Sequence, residues 1–471
     1  MTRKGIKQLL TITLVFMLVF ALATGCSKPA DTKATPTPAP TEQATPEPTE
    51  EATPEPTPEA IDLGGYEFIF ASHWIGEFFP EEGASEDGDK LLERYREIEE
   101  KYNCKITPIS MGPEELVPNV IAAAMAGDKY ADIIDANLGW FQALRSGGYL
   151  ADLNTVPGID LNDPRWNPAA FPMTTYDGKV FGMQFKEIQP RAVLFFNKSL
   201  MEREGQPDIY ELFRNKEWTW DKFREIMRNI TKDTDGDNIN DIWGITTIGD
   251  GLEKQAIWSN GARVVKNDGG KYVFGLNDPA AHEALQFVYE IINVDKFYKF
   301  QAEGTDWTQP AYDFMEGNVG FFAMEFWFAP VWGAPEMQDD YGIVPFPMGP
   351  QATDYVSQHA DQRFFCMTST NSDLDKAAII WNAICEPFEG TSPDDWKEVY
   401  RNDYLCDDES LETILYLFDG RVDLDLSVGV PGMDFGGAIA SVTRTGENTP
   451  KAAMEAIVEI NQTAIDEFYN K

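Results

Sequence analysis

The segment Tyr176–Met201, YDGKVFGMQFKEIQPRAVLFFNKSLM, lies near the middle of a chain of 471 residues and contains two apolar runs. Asp177-Gly178 is a dipeptide typical of a tight turn, and a short apolar run follows it. After a polar stretch interrupted by Pro190, the run Ala192–Phe196 is apolar enough to be a strand buried on both faces. The two extended segments form either a hairpin within one domain or a passage of the chain from one lobe to another. The flanking sequence favours the passage.

Residues 1–25 are predicted to be a lipoprotein signal peptide. Basic residues near the N-terminus precede the apolar core Leu9–Leu22, which is too short and too early for a routine membrane span. Small residues then lead to Cys26, and this arrangement resembles a bacterial lipoprotein cleavage site, which implies a diacylglycerol on the Cys26 sulfur. A plain secretory signal is the alternative. Residues 26–60 repeat the unit ATPEPT and are predicted to form a Pro/Thr/Glu-rich tether.

The size and charge of the remaining chain limit its function. The globular part begins near residue 61 and is over 400 residues long. A single hydrophobic core rarely supports so many residues, so two lobes are expected. A formal net charge of −40 opposes binding of nucleic acid and of anionic ligands. This charge suits an extracellular protein with a neutral or cationic ligand. The 12 tryptophans are enough to line a site as well as to fill cores.

Strands and helices alternate along the first part of the globular region. Tyr66–Ala71, Lys105–Ile109 and Ala131–Asp135 are predicted strands, and Asp89–Tyr102 and Glu114–Ala126 are predicted helices. This alternation predicts a largely parallel α/β sheet, and ligands of such sheets bind outside the carboxyl ends of the strands. Further predicted elements are the hairpin Val264–Phe274, the strands Val319–Glu325 and Tyr341–Pro350, and the helices Trp218–Ile230, Ala280–Asn293, Ala377–Ile384 and Lys451–Tyr469.

Several segments, taken in order, resemble the sugar-binding family of ABC-importer solute-binding proteins that includes maltodextrin-binding proteins. The resemblance covers most of residues 64–471. The segments are ADIID at 131–135, LRSGGYLADL at 144–153, GKVFG at 178–182, LFFNK at 194–198, YDFMEGNVGFFAMEFW at 312–327, YGIVPFPMGP at 341–350, and an amphipathic C-terminal helix.

This resemblance implies an α/β fold of two lobes, like the type II periplasmic binding proteins, with the ligand in the cleft between the lobes. Residues 61–188 plus 336–385 are expected to form lobe one, and 189–335 plus 386–471 lobe two. The implied function is capture of a neutral sugar or oligosaccharide and its delivery to the transmembrane subunits of an ABC permease. The protein is expected to be a monomer without an organic cofactor, lipid-anchored at the extracellular face of the bacterial cell membrane.

Eight side chains near strand ends are candidate ligand-binding residues, because sugar sites need flat apolar surfaces and planar polar groups. Trp327 matches, by its position after a strand, a sugar-stacking tryptophan of the maltodextrin-binding family, whereas position relative to strands alone selects the others. For each tryptophan, packing in a core is the alternative. Arg363 is either a ligand group or part of an ion pair. The eight candidates are Trp74, Asn137, Trp140, Glu187, Trp258, Asn260, Glu325 and Trp327.

The acidic segment 233–241 resembles a calcium loop of the EF-hand or dockerin kind. Carboxylates at positions 1, 3, 5 and 9 would be the ligands, together with a backbone carbonyl at position 7. Two departures are Asn238 at the position of the expected glycine and Gly244 in place of the last glutamate. A solvated turn is the alternative to a structural Ca²⁺ ion. The predicted ligands are Asp233, Asp235, Asp237, Ile239 and Asp241.

The main alternative function is a membrane-tethered carbohydrate-active enzyme similar to glycoside hydrolases. Such an enzyme needs two carboxylates at a defined separation across a cleft, and with 78 acidic residues the sequence cannot select a pair. A structural adhesin would leave the α/β alternation unexplained, so we expect a binding protein without catalytic activity. The thiols of Cys104, Cys366, Cys385 and Cys406 could pair in three ways or stay buried and reduced.

Overall fold

The computed structural model describes residues 61–168, 170–185, 191–359, 362–392 and 395–470. The predicted signal peptide, the tether, Cys26 and Glu187 lie outside these residues, and their assigned roles stay predictions. Among the described residues, no helix has both the length and the apolar composition needed to cross a membrane.

The strands, in chain order, are β1 (Tyr66–Ser72), β2 (Cys104–Ser110), β3 (Ile133–Asn137), β4 (Thr175–Tyr176), β5 (Lys179–Val180), β6 (Ala192–Asn197), β7 (Trp243–Thr247), β8 (Val265–Asp268), β9 (Lys271–Phe274), β10 (Val319–Glu325), β11 (Tyr341–Val344), β12 (Ser357–His359), β13 (Arg363–Cys366) and β14 (Val422–Leu424).

The α-helices are α1 (Ile75–Phe78), α2 (Glu86–Tyr102), α3 (Leu116–Ala126), α4 (Leu138–Ser146), α5 (Phe171–Thr174), α6 (Lys198–Arg203), α7 (Ile209–Arg214), α8 (Trp220–Ile230), α9 (Gly251–Ser259), α10 (Pro279–Tyr289), α11 (Gln309–Met315), α12 (Ala334–Glu336), α13 (Leu374–Ile384), α14 (Asp395–Val399), α15 (Asp408–Phe418), α16 (Gly436–Thr443) and α17 (Pro450–Tyr469). Short 3₁₀ or π-helical turns are Leu153–Thr155, Glu290–Val294, Ala329–Gly333 and Tyr400–Tyr404.

The first sheet has the strand order β13-β3-β1-β2. The strand β1 runs parallel to β2 and β3, whereas β13 runs antiparallel to β3. Helix α2 begins at its cap Ser85, whose hydroxyl accepts a hydrogen bond from the Gly88 amide, and it buries Tyr95 and Ile98 of its apolar face. The predicted βαβ alternation is therefore confirmed, and the carboxyl ends of β1 and β3 meet at one edge of this sheet.

The second sheet has the strand order β11-β6-β10-β7. The strand β6 is antiparallel to both of its neighbours, and β7 is parallel to β10. Every residue of β6 is buried, which confirms the strand predicted at Ala192–Phe196. The strand β10 is buried up to its last residue, Glu325, which is partly exposed. This residue marks the carboxyl edge of the second sheet.

The turn at Asp177-Gly178 connects β4 and β5, and both residues have positive φ angles of 50° and 74°. Met183, a few residues later, bridges to Phe365 of β13 in the first sheet. The next described strand, β6, belongs to the second sheet. Residue 183 is thus bonded to the first sheet and residue 192 begins a strand of the second, while the predicted passage between lobes stays a prediction.

The structure shortens two predicted elements. The strand predicted at Tyr341–Pro350 ends at Val344, because Pro345 and Pro347 cannot donate backbone hydrogen bonds to a partner strand. Helix α10 ends at Tyr289 and continues as a π-helical turn over the remaining predicted residues. The strand β11 lies in the second sheet although the sequence analysis assigns 336–385 to lobe one, and the lobe boundaries remain a prediction.

Candidate functional site

Three aromatic residues cluster at the carboxyl edge of the first sheet. Trp74 follows β1, and Trp140 lies in the first turn of α4; their ring centroids are 5.7 Å apart with the planes tilted by 35°. The ring of His73 stands edge-on to both, at centroid distances of 5.0 Å and 6.2 Å. Both tryptophans are partly exposed. The structure therefore brings together two of the predicted ligand-binding residues.

Arg363, the first residue of β13, covers Trp74. Its guanidinium carbon lies 4.1 Å from the centre of the Trp74 ring, a distance typical of cation–π contact. The same guanidinium forms two hydrogen bonds to Asp135, one of them 3.2 Å long, and donates to Glu77 at 2.9 Å. Asp135 is fully buried and also accepts a hydrogen bond from the hydroxyl of Ser72 at 2.8 Å. Of the two readings that the sequence leaves open for Arg363, the structure shows the ion pair.

Asn137 has a structural role in addition to any contact with a ligand. It is the N-cap of α4, and its Oδ1 atom accepts a hydrogen bond from the backbone N–H of Trp140 at 2.9 Å. This bond satisfies a backbone donor that the first turn of a helix leaves without an intrahelical partner. Asn137 thus helps to fix the start of the helix that carries Trp140.

A second group lies at the carboxyl edge of the second sheet. The indole N–H of Trp327 donates a hydrogen bond of 2.7 Å to Oε2 of Glu325, which ends β10. Nε of Arg191, which immediately precedes β6, lies 3.6 Å from the same carboxylate oxygen. The ring centroid of Trp327 is 5.2 Å from that of Trp332, edge to face. The two predicted residues Glu325 and Trp327 are therefore in contact with each other.

Trp327 is partly exposed, whereas its neighbours Phe326 and Phe328 are buried. The backbone conformation after β10 explains this difference in exposure. The chain turns directly after Glu325, and the amide of Ala329 donates to the carbonyl of Phe326 at 2.9 Å. A turn rather than an extended chain therefore separates the three rings.

Two of the predicted ligand-binding residues lie within the protein interior. Trp258 is 2% exposed and belongs to the main core cluster. The Asn260 side chain is 0% exposed; its amide nitrogen donates to the Ala280 carbonyl at 2.8 Å and to Glu283 at 2.9 Å. Its oxygen accepts from the Gln351 amide at 3.0 Å. Both side chains have the contacts of core and capping residues, and any role in binding stays a prediction.

The acidic loop brings three of its four aspartates together. One carboxylate oxygen from each of Asp233, Asp235 and Asp237 lies within 4.8 Å of the others. Asp241 is not part of this group, and its carboxylate accepts hydrogen bonds from the amide and hydroxyl of Thr234. The amide of Ile239 donates to Asp237 at 2.7 Å.

The backbone of the loop is left-handed at Gly236 and at Asn238. Asn238 has a φ angle of 70°, which asparagine tolerates. The amides of Gly236 and Asn238 donate to Asp233 at 2.7 Å and 2.8 Å, and these bonds lower the pKa of its carboxyl group. Such bonds keep the carboxylate ionised, which is the form that a cation binds.

The four cysteines of the globular region form no disulfide among the described residues. Cys366 and Cys385 are buried, and burial raises the pKa of both thiols. Of the alternatives that the sequence left open, the structure therefore shows four cysteines that form no disulfide with one another.

Two separate α/β sheets, each with aromatic side chains at its carboxyl edge, define a class of two-lobed binding proteins. The sequence profile described as bacterial extracellular solute-binding protein matches residues 84–378, which is more than half of the chain. The protein therefore belongs to the bacterial extracellular solute-binding family. A comparison with curated proteins gave no match.

Solved structures with this fold include several ABC-importer components. The substrate-binding protein Lmo0181 from Listeria monocytogenes, in complex with cycloalternan, is 18% identical with a TM-score of 0.59, covering 86% of this chain and 98% of its own. MalE from Bdellovibrio bacteriovorus, bound to maltotriose, is 17% identical with a TM-score of 0.56 and coverages of 86% and 100%. UgpB from Mycobacterium tuberculosis, in complex with glycerophosphocholine, is 16% identical with a TM-score of 0.62 and coverages of 86% and 99%.

These likenesses confirm the predicted fold class, a two-lobed α/β fold of the type II binding proteins. The family and its structural neighbours are binding proteins rather than enzymes, and nothing in the comparisons supports the glycoside hydrolase alternative.

Proposed function

We propose that this protein binds a neutral saccharide between the two aromatic groups and delivers it unchanged to the transmembrane subunits of an ABC permease. The observation that carries the proposal is the pair of partly exposed tryptophan groups, Trp74 with Trp140 and Trp327 with Trp332, one at the carboxyl edge of each sheet. Aromatic faces in a cleft suit the apolar faces of sugar rings. Polar groups beside them, such as Glu325, would bind hydroxyls.

The charge distribution argues for a ligand without net negative charge. The formal net charge of the chain is −40. Within the first group, the guanidinium of Arg363 is neutralised by Asp135 and Glu77, and within the second group Arg191 lies beside Glu325. Both cations already lie beside carboxylates of the protein, so neither offers its full positive charge to an anionic ligand. A zwitterion such as glycerophosphocholine, the ligand in the UgpB structure, remains compatible with this distribution and belongs in the ligand screen.

The same acidic groups argue against hydrolysis. A retaining or inverting glycosidase needs one carboxyl group that can donate a proton and a second that is free to act as nucleophile or base. Asp135 is buried under Arg363, and Glu325 accepts a hydrogen bond from Trp327. Both carboxylates are therefore engaged with the protein's own side chains.

The proposal extends to the membrane and to a metal ion. A lipid on Cys26 would anchor the protein at the extracellular face of the membrane, with residues 26–60 as a tether and a monomeric globular part. The chain would pass between lobe one and lobe two near residue 188 and return between β11 and β13, a proposal supported by the different sheets to which these two strands belong. Asp233, Asp235 and Asp237 would hold a structural Ca²⁺, completed by the Ile239 carbonyl and by Asp241 or water.

A thermal-shift screen tests the central proposal. Neutral mono- and oligosaccharides, glycerophosphocholine and anionic sugars are compared at equal concentration. A ligand present at 100 times its Kd adds about 2.7 kcal/mol to the free energy of unfolding. We expect stabilisation by neutral saccharides, and analysis of the recovered sugar should show no cleavage. Stabilisation by anionic ligands alone, or hydrolysis of the bound sugar, would refute the proposal.

A further inference from the structure

The ring of Phe326, the residue before Trp327, is stacked on the ring of Tyr400. Their centroids lie 4.8 Å apart with the planes at 17°, and the two residues are 2% and 4% exposed. Among the described residues, Tyr400 is the aromatic side chain whose ring contacts Phe326. One flank of Trp327 is therefore held by a residue far along the chain.

The backbone around Trp327 depends on the position of Phe326. The amide of Phe326 donates to the carbonyl of Arg191 at 2.7 Å, and its carbonyl accepts from the amide of Ala329 at 2.9 Å. The second bond closes the turn that leaves Trp327 partly exposed between two buried rings. A shift of Phe326 would displace this turn, and with it the indole that donates to Glu325.

Phe328, on the other flank of Trp327, is held by the second sheet itself. Its ring contacts those of Phe195 in β6 and Phe322 in β10, at centroid distances of 4.9 Å and 5.1 Å. These two strands are neighbours in the sheet. The sheet therefore fixes one side of Trp327, whereas the other side depends on Tyr400.

Tyr400 is itself held in one orientation. It begins the π-helical turn that ends at Tyr404, and the hydroxyl of Tyr341 in β11 donates to the carbonyl of Tyr404. The ring of Trp396 stands edge-on to that of Tyr400, at a centroid distance of 5.0 Å. We call residues 395–405 the supporting segment, because its own contacts fix the ring on which Phe326 is stacked.

Two π-helical turns meet beside the candidate ligand site. The turn of the supporting segment packs against the turn Ala329–Gly333, which follows Trp327. Turns of this kind are rare and occur frequently at functional sites. Their contact is a second link, in addition to the stacked rings, between the supporting segment and the residues around Trp327.

The supporting segment arrives from the first sheet. Cys385, which follows α13, belongs to the core cluster that contains residues of β1 and β3. Phe388 lies under the guanidinium of Arg94 in α2, whose central carbon is 3.5 Å from the ring centre. Tyr400 belongs to the core cluster that contains β10. The strands of the second sheet thus do not supply the residue that holds Phe326.

We propose that Tyr400 is a positioning residue for the saccharide site. By stacking on Phe326, it holds the turn after β10 in the conformation that presents the indole of Trp327 to the sugar. A side chain that is ordered before binding loses little conformational entropy on binding, so this stacking raises affinity without any contact between Tyr400 and the sugar. The inference rests on the proposed function, and it adds a residue that acts through Trp327.

The first test measures affinity by calorimetry. Glucose, maltotriose, cellotriose, xylotriose and mannotriose are titrated against the wild type, and the sugar with the lowest Kd is used for the variants. In Tyr400→Leu, which removes the stacked ring, the Kd should rise about tenfold, and Tyr400→Phe, which keeps the ring, should stay within about twofold of the wild type. Phe326→Leu removes the same stack from its other partner and should also raise the Kd, so the test does not depend on one variant that folds.

A buried aromatic residue away from Trp327 provides the matched control. Phe213 is 4% exposed, as Tyr400 is, and its ring contacts those of Tyr355 and Tyr416. We expect Phe213→Leu to lower the melting temperature as Tyr400→Leu does, but to leave the Kd unchanged. A rise in Kd of equal size in both variants would assign the effect to a general loss of stability and overturn the inference.

A double-mutant cycle tests whether Tyr400 acts through Trp327. In the Trp327→Ala background the positioned ring is absent, so adding Tyr400→Leu should change the Kd by less than about twofold. Losses of affinity that add up fully would show that the effect does not pass through Trp327. That result would also overturn the inference.

Hydrogen exchange examines the turn in the absence of sugar. The amides of Ala329 and Val331 donate to the carbonyls of Phe326 and Trp327 at 2.9 Å and 3.3 Å. These amides should exchange faster in Tyr400→Leu than in the wild type, because the turn opens more often once the stack is lost. In Phe213→Leu their exchange should match that of the wild type.

The outcomes separate this inference from the proposed function. If Tyr400→Leu binds sugar as the wild type does, or if the exchange of the turn is unchanged, the positioning role is refuted while sugar binding stands. If no sugar of the panel binds the wild type, there is no saccharide site for Tyr400 to position, and the inference fails together with the proposed function.

Discussion

The guanidinium of Arg363 lies over the ring of Trp74, 4.1 Å from its centre, and at the same time binds the buried carboxylate of Asp135. An ion pair inside the first sheet is thereby coupled to the orientation of an aromatic ring at the sheet's edge. The planar guanidinium can satisfy both requirements, because it can stack on a ring while its N–H groups reach carboxylates in its own plane.

Replacing Arg363 with alanine should destabilise the protein and weaken ligand binding. Asp135 is fully buried, and an unpaired buried charge typically costs about 3–5 kcal/mol. The Trp74 ring would also lose its support, so the affinity for sugar should fall. Urea denaturation and calorimetry measure the two effects.

A matched arginine provides the control for this prediction. Arg401 pairs with Glu398 and Asp408, and all three side chains are exposed. Exposed ion pairs contribute about 0–1 kcal/mol to stability. The free energy of unfolding of Arg401→Ala should therefore be close to that of the wild type. Arg363→Lys should restore charge but not the stacked geometry. An Arg363→Ala protein as stable as the wild type would contradict the prediction.

Trp327→Ala should weaken sugar binding, whereas Trp258→Ala should lower folding stability. Trp327 is partly exposed beside Glu325, and loss of a central aromatic contact costs at least about 2 kcal/mol of binding, or roughly 30-fold in Kd. Trp258 is buried in the core, and its truncation should cost about 3–5 kcal/mol of folding stability. Melting temperature and sugar affinity, measured on both variants, distinguish the two roles. An unchanged affinity in Trp327→Ala beside a large drop in melting temperature would move Trp327 from the site to the core.

Removal of Ca²⁺ should lower the melting temperature. Three carboxylates gathered within 4.8 Å repel one another, and a chelator would leave that repulsion uncompensated. Asp235→Ala should abolish the response to chelator. Asp306→Ala is the control, since that aspartate braces a different loop by bonding to Thr308. A melting curve insensitive to chelator, with no metal in the purified protein, would leave the loop as a solvated turn.

His359 should make the protein sensitive to mild acid. Burial, together with the charge of Arg191, lowers the pKa of His359 from 6.5 to about 3. Below pH 6.5 the unfolded chain therefore binds a proton that the folded protein does not, and stability is lost as the pH falls from 6.5 towards 3. Between about pH 7.5 and about pH 4.5 the loss should be roughly 2–3 kcal/mol.

The variant His359→Gln isolates this contribution. We expect the free energy of unfolding, measured in urea, to fall over the same pH range by roughly 2–3 kcal/mol less in this variant than in the wild type. The carboxyl groups with lowered pKa values titrate at lower pH and are common to both proteins. Parallel pH profiles for the two proteins would show that His359 is accessible to protons in the folded state.

Local patterns allowed parts of this structure to be predicted from sequence. The buried strand predicted at Ala192–Phe196 and the turn at Asp177-Gly178 each follow from a few adjacent residues. The candidate site depends instead on distant pairs. Asp135 and Arg363 are 228 positions apart, and nothing in either segment alone indicates that they meet.

The tryptophans show the same limit of prediction from sequence. Trp258 and Trp327 both lie near predicted strand ends, yet one is in the core and the other is partly exposed. Exposure depends on which helix covers which sheet edge, and no window of sequence contains that information. Trp332 was missed for this reason; the signal in the sequence was the local density of aromatic residues over 307–332.

The absence of disulfides among the described residues has a practical meaning for how this extracellular protein matures and how it can be observed. Its globular part needs no oxidising catalyst to reach its folded state, so production in a reducing cytoplasm should give the same fold. Cys366 ends β13, an edge strand of the first sheet, and Cys385 follows the end of α13; both are buried. A thiol-labelling reagent can reach these two sulfurs only when the surrounding structure opens. The rate of labelling, followed with and without sugar, would therefore time the opening of this half of the molecule with no engineered probe.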